Sequence, residues 1–326
     1  MYSLADYLWM LADETRAAAY AQAIRAVVRP GDRVLDVGAG FGFFSVIAAL
    51  AGARHVDAVD TNPAVHLGSR LAAANGCADR VTFHHLDVER LELPVPADVV
   101  ICDLRGPTPF ARRSLATLTD VRRRLLRSGG AIVPLADTVF AAPCRVPAIV
   151  TRDVHAAFGR EGLDTTPIER VVHDSPYRCT IDPAELIAPG CAWARIEYAA
   201  LEGTDVRGGA SWRFTDRDTV HGFAVWFSTE LAAGIGFSSA PGSPTRVYNQ
   251  IFLPLREPVS IAAADRLRLD LAVRLALNEY VWEWTAWIRS GDGSGEREVV
   301  RQNSIAEAVL DPAVLHAAAA VRPDAV

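Results

Sequence analysis

The chain has 326 residues, half of them apolar and 22% charged, with a net charge of −6 and an isoelectric point near 5.8. That length exceeds one comfortable core and predicts two domains, and the balance is that of a globular chain rather than a disordered one. The acidic balance argues against a nucleic-acid binder that neutralises phosphates, and the complete lack of lysine excludes Schiff-base and pyridoxal-phosphate chemistry and a Walker-type loop.

Along the chain, Tyr7 to Val28 reads as one amphipathic helix with Leu11, Ala18, Ala21, Ile24 and Val28 toward a core, stopped by Pro30-Gly31. A short apolar strand, Arg33 to Val37, runs into a glycine turn, Gly38-Ala39-Gly40-Phe41-Gly42. A helix from Phe43 to Ala51 follows, then a strand from His55 to Asp60, a helix from Pro63 to Asn75, and strands from Val81 to His85 and Asp98 to Cys102. Strand alternating with helix at this spacing predicts a parallel, Rossmann-like α/β sheet with right-handed crossovers. Beyond about Pro143 the pattern changes to period two, as in 193–198, 222–227, 266–273 and 280–288, which predicts antiparallel β structure. The Gly/Ser/Pro-rich strip from Gly234 to Pro244 reads as loop, and Asp311-Pro312 should cap a short final helix ending near Val321. The expected domains are thus 1–143 and 144–326.

The five cysteines, Cys77, Cys102, Cys144, Cys179 and Cys191, are dispersed without a C-x-x-C pair, so free thiols and no metal site are expected. No basic segment followed by an apolar stretch opens the chain, and no apolar run reaches the roughly 18–20 residues needed to span a bilayer. A cytoplasmic protein without membrane or nucleic-acid partners is expected.

A strand, a glycine turn and a helix form a nucleotide-binding device, because glycines admit close backbone approach and the helix N-terminus offers free N–H groups. Phe43 occupies the third position of the dinucleotide fingerprint, where a small residue is required, so the NAD pattern fails. The spacing Asp36-x-Gly38-x-Gly40-x-Gly42 instead resembles motif I of class I methyltransferases, which use S-adenosylmethionine (SAM). Ala39, Thr61 and Asp103 are expected among the cofactor-binding residues. Asp60 ends the second strand, where its carboxylate could accept ribose hydroxyls or cap the next helix. Asp87-Val88-Glu89 follows the third strand, where SAM enzymes often bind the adenine amino group; a solvated Glu89 is the other reading.

Met10-Leu-Ala-Asp-Glu-Thr-Arg16-Ala-Ala-Ala-Tyr20 is similar to a helix of the protein arginine methyltransferase family, as are 51–56 and 125–134 and, most distinctively, Gly236-Phe-Ser-Ser-Ala-Pro-Gly-Ser-Pro244. The resemblance covers most of the chain. It implies a Rossmann-like domain followed by a β-barrel-type domain, with Arg16 gripping the SAM carboxylate and Met10 beside it. It also implies a helical dimerisation arm at about 160–186 and a homodimer; an ordinary surface excursion is the other reading of that segment.

The resemblance departs in the substrate loop. The family holds a guanidinium with two glutamates after the fourth strand; here Asp103 stands at the first and Arg112 at the second. The family's His-Trp pair is absent, since Arg246-Val247-Tyr248 stands there, and the lid before Met10 is short and without the family's paired tyrosines. An inward Arg112 would repel a guanidinium by roughly 4 kcal/mol at about 4 Å and an effective dielectric near 20. One carboxylate, Asp103, suits an amine, so N-methylation of a small molecule or modified peptide is expected, with Asp103 and Tyr248 as catalytic candidates. Asp103 could instead be a structural cap. Arg105, Arg112 and Arg113 could bind a substrate carboxylate or phosphate, or be solvated helix residues, and Tyr248 could line the substrate. Two alternatives are protein arginine methylation with a non-standard acidic pair, and a SAM-binding partner subunit without turnover.

Overall fold

A computed structural model describes residues 2–276, 278–291 and 295–305. Two helices, α1 (Leu4–Leu11) and α2 (Glu14–Val27), lead into β1 (Arg33–Val37), α3 (Phe43–Leu50) and β2 (His55–Asp60). A 3-10 turn at Pro63–Leu67 precedes α4 (Gly68–Ala74), followed by β3 (Val81–His85), β4 (Ala97–Cys102), α5 (Ser114–Arg124) and β5 (Leu126–Val133). The five strands form a parallel sheet in the order β3-β2-β1-β4-β5. The three central strands, β2, β1 and β4, are almost wholly buried, as helices on both faces require of a parallel sheet. The strand order reverses direction at β1/β4, so the crevice beyond the C-terminal ends of those two strands is where such a sheet places its ligand.

The single N-terminal helix expected from periodicity is broken. Ser3 and Asp6 make a capping box on α1, and Asp13 caps α2 by accepting the Arg16 N–H at 3.1 Å. Helix α1 has no buried residue, whereas α2 buries Arg16, Ala19, Tyr20, Ala23 and Ile24. Ala18, expected toward the core, is exposed and Leu11 only half-buried, because the break at residues 12–13 resets the helical phase.

The second unit starts at β6 (Ala136–Cys144) and continues through α6 (Ala148–Asp153), α7 (Thr166–His173), β7 (Tyr177–Cys179) and β8 (Cys191–Glu197). Then come β9 (Val206–Arg213), β10 (Asp218–Ala232), β11 (Ile235–Ser238), β12 (Gln250–Ile261), β13 (Arg266–Ala276), β14 (Glu279–Arg289) and β15 (Glu296–Asn303). They build two antiparallel sheets, β7-β12-β10-β6-β8 with β11 on β10, and β15-β14-β13-β9. The strip from Gly234 is not all loop: Gly234, at φ +72°, turns the chain so that β11 pairs back on β10. Trp226 is buried and stacked on Phe140. The expected final helix at 311–321 lies outside the described residues. No helix among the described residues is long and apolar enough to cross a membrane, and no group of three His, Cys, Asp or Glu side chains there could hold a metal ion.

One apolar core crosses from unit to unit. Phe110, on the loop after β4, inserts among Trp193, Tyr280 and Trp282 of the β sheets, with ring centroids 5.5–5.7 Å apart. That anchor sets the course of the loop carrying Asp103, Arg105 and Arg112.

Candidate active site

The glycine turn after β1 holds Gly38, Gly40 and Gly42 at φ +75°, +56° and +81°, a region that side chains beyond glycine rarely adopt. A Cβ on Gly38 would lie 2.6 Å from Leu104 Cδ2, and one on Gly40 would lie 2.6 Å from Tyr7 Cε1, so neither position has room for a side chain. Asp60, at the C-terminal end of β2, accepts the backbone N–H groups of Gly40 and Asn62, each at 2.7 Å. It braces the turn. Tyr7, the one tyrosine of α1, packs edge-on against Phe41 of the turn and against Tyr2, which precedes the helix.

Asp36, beneath the turn, is buried and accepts the Ser45 hydroxyl at 2.6 Å. Burial pushes its carboxyl up to about 7, against the opposing pull of that hydrogen bond. A folded value above the unfolded one means the fold holds a proton that the unfolded chain releases, so this stabilisation is complete below about pH 4 and lost as pH rises through about 7. Asp36→Asn should therefore gain in melting temperature relative to wild type between those limits and keep a constant offset above them; an offset independent of pH across the whole range would defeat the assignment.

On the adenine side the expected residues separate. Asp87 accepts the Glu89 N–H and caps the turn at Val88–Arg90, Val88 is buried, and Glu89 is exposed and paired with Arg113 at 3.0 Å. Thr61 is exposed, and its carbonyl accepts from His85 at 3.1 Å. Ala39 is half-buried in the turn.

The buried centre lies where β4 ends. Asp103 Oδ2 accepts Arg16 Nε at 2.8 Å, Arg16 Nη2 at 2.6 Å and the Tyr248 hydroxyl at 2.6 Å. Arg16 Nη1 reaches the Met10 carbonyl at 3.4 Å, so Met10 takes part through its backbone. Asp103 Oδ1 accepts Arg105 Nε at 3.1 Å. Arg105 Nη1 donates to Asp137 Oδ1 at 2.8 Å and to Thr229 Oγ1 at 2.7 Å, while its Nη2 donates to the Tyr20 hydroxyl. Asp137, fully buried, also accepts the Tyr198 hydroxyl at 2.6 Å. Burial alone would raise the Asp103 carboxyl, but the Arg16 and Arg105 guanidiniums and the Tyr248 hydroxyl outweigh it and hold it below the usual range. Burial lifts the Tyr248 phenol well above its ordinary value, and the Asp103 charge adds to this. Asp103 is therefore a charged acceptor and a weak base.

Arg16, Asp103 and Tyr248 thus meet, joined by Arg105. Arg112 does not join them. With Phe110 anchored inward, Arg112 takes φ +48° and faces solvent, so the reversed charge at the second glutamate position does not enter the site. Arg113 is also exposed. The residues that sequence reading missed are Asp13, Tyr20, Asp137, Thr229 and Phe237. Asp13 Oδ2 accepts the backbone N–H groups of Arg246 (2.6 Å) and Val247 (3.1 Å), tying the Tyr248 loop to the start of α2. Asp137 has no local motif; its partner lies on another element.

Residues 16–133 match the family model described as ribosomal protein L11 methyltransferase (PrmA), and residues 137–279 match the arginine methyltransferase oligomerization subdomain. The chain is 30% identical to probable histone-arginine methyltransferase 1.4 of Arabidopsis thaliana over 84% of its own length and 57% of that relative's. It is 26% identical to protein arginine N-methyltransferase 1 of Schizosaccharomyces pombe, over 79% of this chain and 78% of the relative. The chain therefore spans little more than half of the Arabidopsis relative. Among solved structures, the fold is shared with the Trypanosoma brucei PRMT1 enzyme-prozyme complex with AdoHcy (TM-score 0.80, 20% identity, 91% of this chain and 96% of that one). It is also shared with Arabidopsis thaliana protein arginine methyltransferase 10 (TM-score 0.76, 21% identity, 90% and 96%). With its parallel sheet, bare glycine turn and antiparallel β unit in this order, the chain belongs to the protein arginine methyltransferase-like family of class I SAM-dependent methyltransferases.

Proposed function

We propose that the protein is a SAM-dependent N-methyltransferase whose acceptor is a protein arginine. The amine reading rested on a lone carboxylate and an inward Arg112. Arg112 faces solvent, and Asp137 supplies a second acid, so Asp103 and Asp137 converge on one guanidinium, that of Arg105. That convergence carries the arginine reading, and the names of the relatives point the same way.

The residues present fit the cofactor. Gly38, Gly40 and Gly42 put no side chain of their own on the turn, the Asp60 carboxylate at the end of β2 would accept ribose hydroxyls, and Arg16 would offer a buried cation to the cofactor's carboxylate. SAM supplies the electrophilic methyl carbon. The chain's part is positioning: Asp103 accepts from the acceptor N–H and fixes its direction, and Tyr248 fixes Asp103. Held below the usual range, Asp103 orients the nucleophile and stabilises positive charge more than it removes a proton. Burial keeps water from the reacting atoms.

Purified protein incubated with SAM should release S-adenosylhomocysteine with arginine-rich peptides and leave methylated arginine in their mass spectra. Turnover on simple amines alone would restore the tailoring reading. Cofactor binding without turnover on either would favour a partner subunit. The match to an oligomerization subdomain and the exposed Leu163 and Ile168 of the 160–186 segment support a homodimer, which sedimentation equilibrium would test by showing a dimer that these two residues changed to Ser weaken.

A further inference from the structure

Arg105 is an unusual occupant of the centre. Its side chain is 3% exposed, yet it touches no solvent-facing acid: its partners are Asp103 and Asp137, themselves 8% and 0% exposed. Four of its five N–H donors are engaged, by Asp103, Asp137, Thr229 and Tyr20. Its Cζ lies 5.1 Å from the Phe227 ring, 5.7 Å from Tyr20 and Tyr248, and 5.8 Å from Phe237. Two acids, two hydroxyls and four aromatic faces are the chemistry that recognises a guanidinium. Charge is balanced as it stands, with Asp103 and Asp137 against Arg16 and Arg105. A third guanidinium entering the same space would be a buried, unpaired cation, which is costly.

We propose that this cage is the acceptor pocket and that Arg105 is its internal occupant, a specificity-determining residue that an acceptor arginine has to displace. The inference rests on the arginine reading above. Arg105 can leave along its own loop, since residues 103–106 form neither helix nor strand between β4 and α5. Because the pocket is open to acceptor only in the fraction of molecules with Arg105 displaced, the apparent affinity for acceptor is reduced by that fraction.

The test uses the SAM-saturated protein, wild type and R105A, with an arginine-bearing peptide and with methylguanidine at low millimolar concentration as a probe of the cage alone. R105A should show a KM for peptide lower by about tenfold or more, with the KM for SAM unmoved. Methylguanidine should raise the melting temperature of R105A saturably and leave wild type unaffected, because it binds the fold that has the vacancy. A peptide KM at or above the wild-type value overturns the proposal, whatever the thermal result. If methylguanidine stabilises R105A while no variant methylates arginine, the cage is retained as a guanidinium site and the arginine reading is what fails. Should R105A not fold, R105M fills more of the vacated volume with an apolar side chain while leaving both cage acids, Asp103 and Asp137, in place, and the same comparison of peptide KM decides.

Discussion

Replacing Asp103 with asparagine should lower turnover by about a hundredfold or more and destabilise the fold by about 3–5 kcal/mol. The first effect follows from position. Asp103 stands at the C-terminal end of β4, beside the reversal point of the parallel sheet, and its carboxylate is bonded to Arg16, Arg105 and Tyr248 together. Asparagine keeps the shape but offers one acceptor oxygen and no charge, so an acceptor N–H loses both its direction and the field that favours positive charge on nitrogen. The second effect follows from burial: Arg16 and Arg105, both nearly inaccessible, would be left with Asp137 as the only carboxylate among their partners. S-adenosylhomocysteine release and urea unfolding measure the two separately. Turnover within a few-fold of wild type would remove Asp103 from the reacting centre, whatever its structural cost.

Arg16→Met should raise the dissociation constant for SAM by at least about thirtyfold, from the loss of a buried charge partner for its carboxylate. Arg16 is held for that task. Its Nε and Nη2 share one oxygen of Asp103, Nη1 takes the Met10 carbonyl, and the Tyr20 and Phe44 rings lie 5.5 and 5.3 Å from Cζ. Lysine cannot reproduce that fork, so Arg16→Lys should resemble Arg16→Met rather than wild type. Titration calorimetry with SAM is the direct measurement. An unchanged affinity with reduced turnover would mean that Arg16 serves only to orient Asp103.

Much of the parallel sheet was legible in the sequence, and its legibility has a cause. β1, β2 and β3 were read with their observed bounds; for β1 and β2 the reason is that strands buried on both faces are largely apolar runs cut by glycine, proline or a turn. The glycine turn and the acid after β2 are likewise local signals. The break at Asp13 was not legible, because half of its reason lies at Arg246 and Val247, whose N–H groups the same carboxylate accepts. Nor was the direction of Arg112: position along a loop does not say which way a side chain points, and here an inward Phe110 turns it out. The pairing of Arg105 with Asp137 joins a loop to a strand of the other unit, and no spacing encodes it. What remained illegible is tertiary in each case.

The insertion of Phe110 among Trp193, Tyr280 and Trp282 makes the unit of cooperativity larger than either half of the chain. Residues from Leu35 in the first strand to Ile288 in the fourteenth share one apolar cluster, so exposing either half strips the other of its cover. Calorimetry should record a single heat-absorption peak whose van't Hoff and calorimetric enthalpies agree, and a fragment ending at residue 143 should fail to melt cooperatively. Two resolved peaks would mean that the halves are energetically separate. A shared cluster of this kind makes the two halves one foldon.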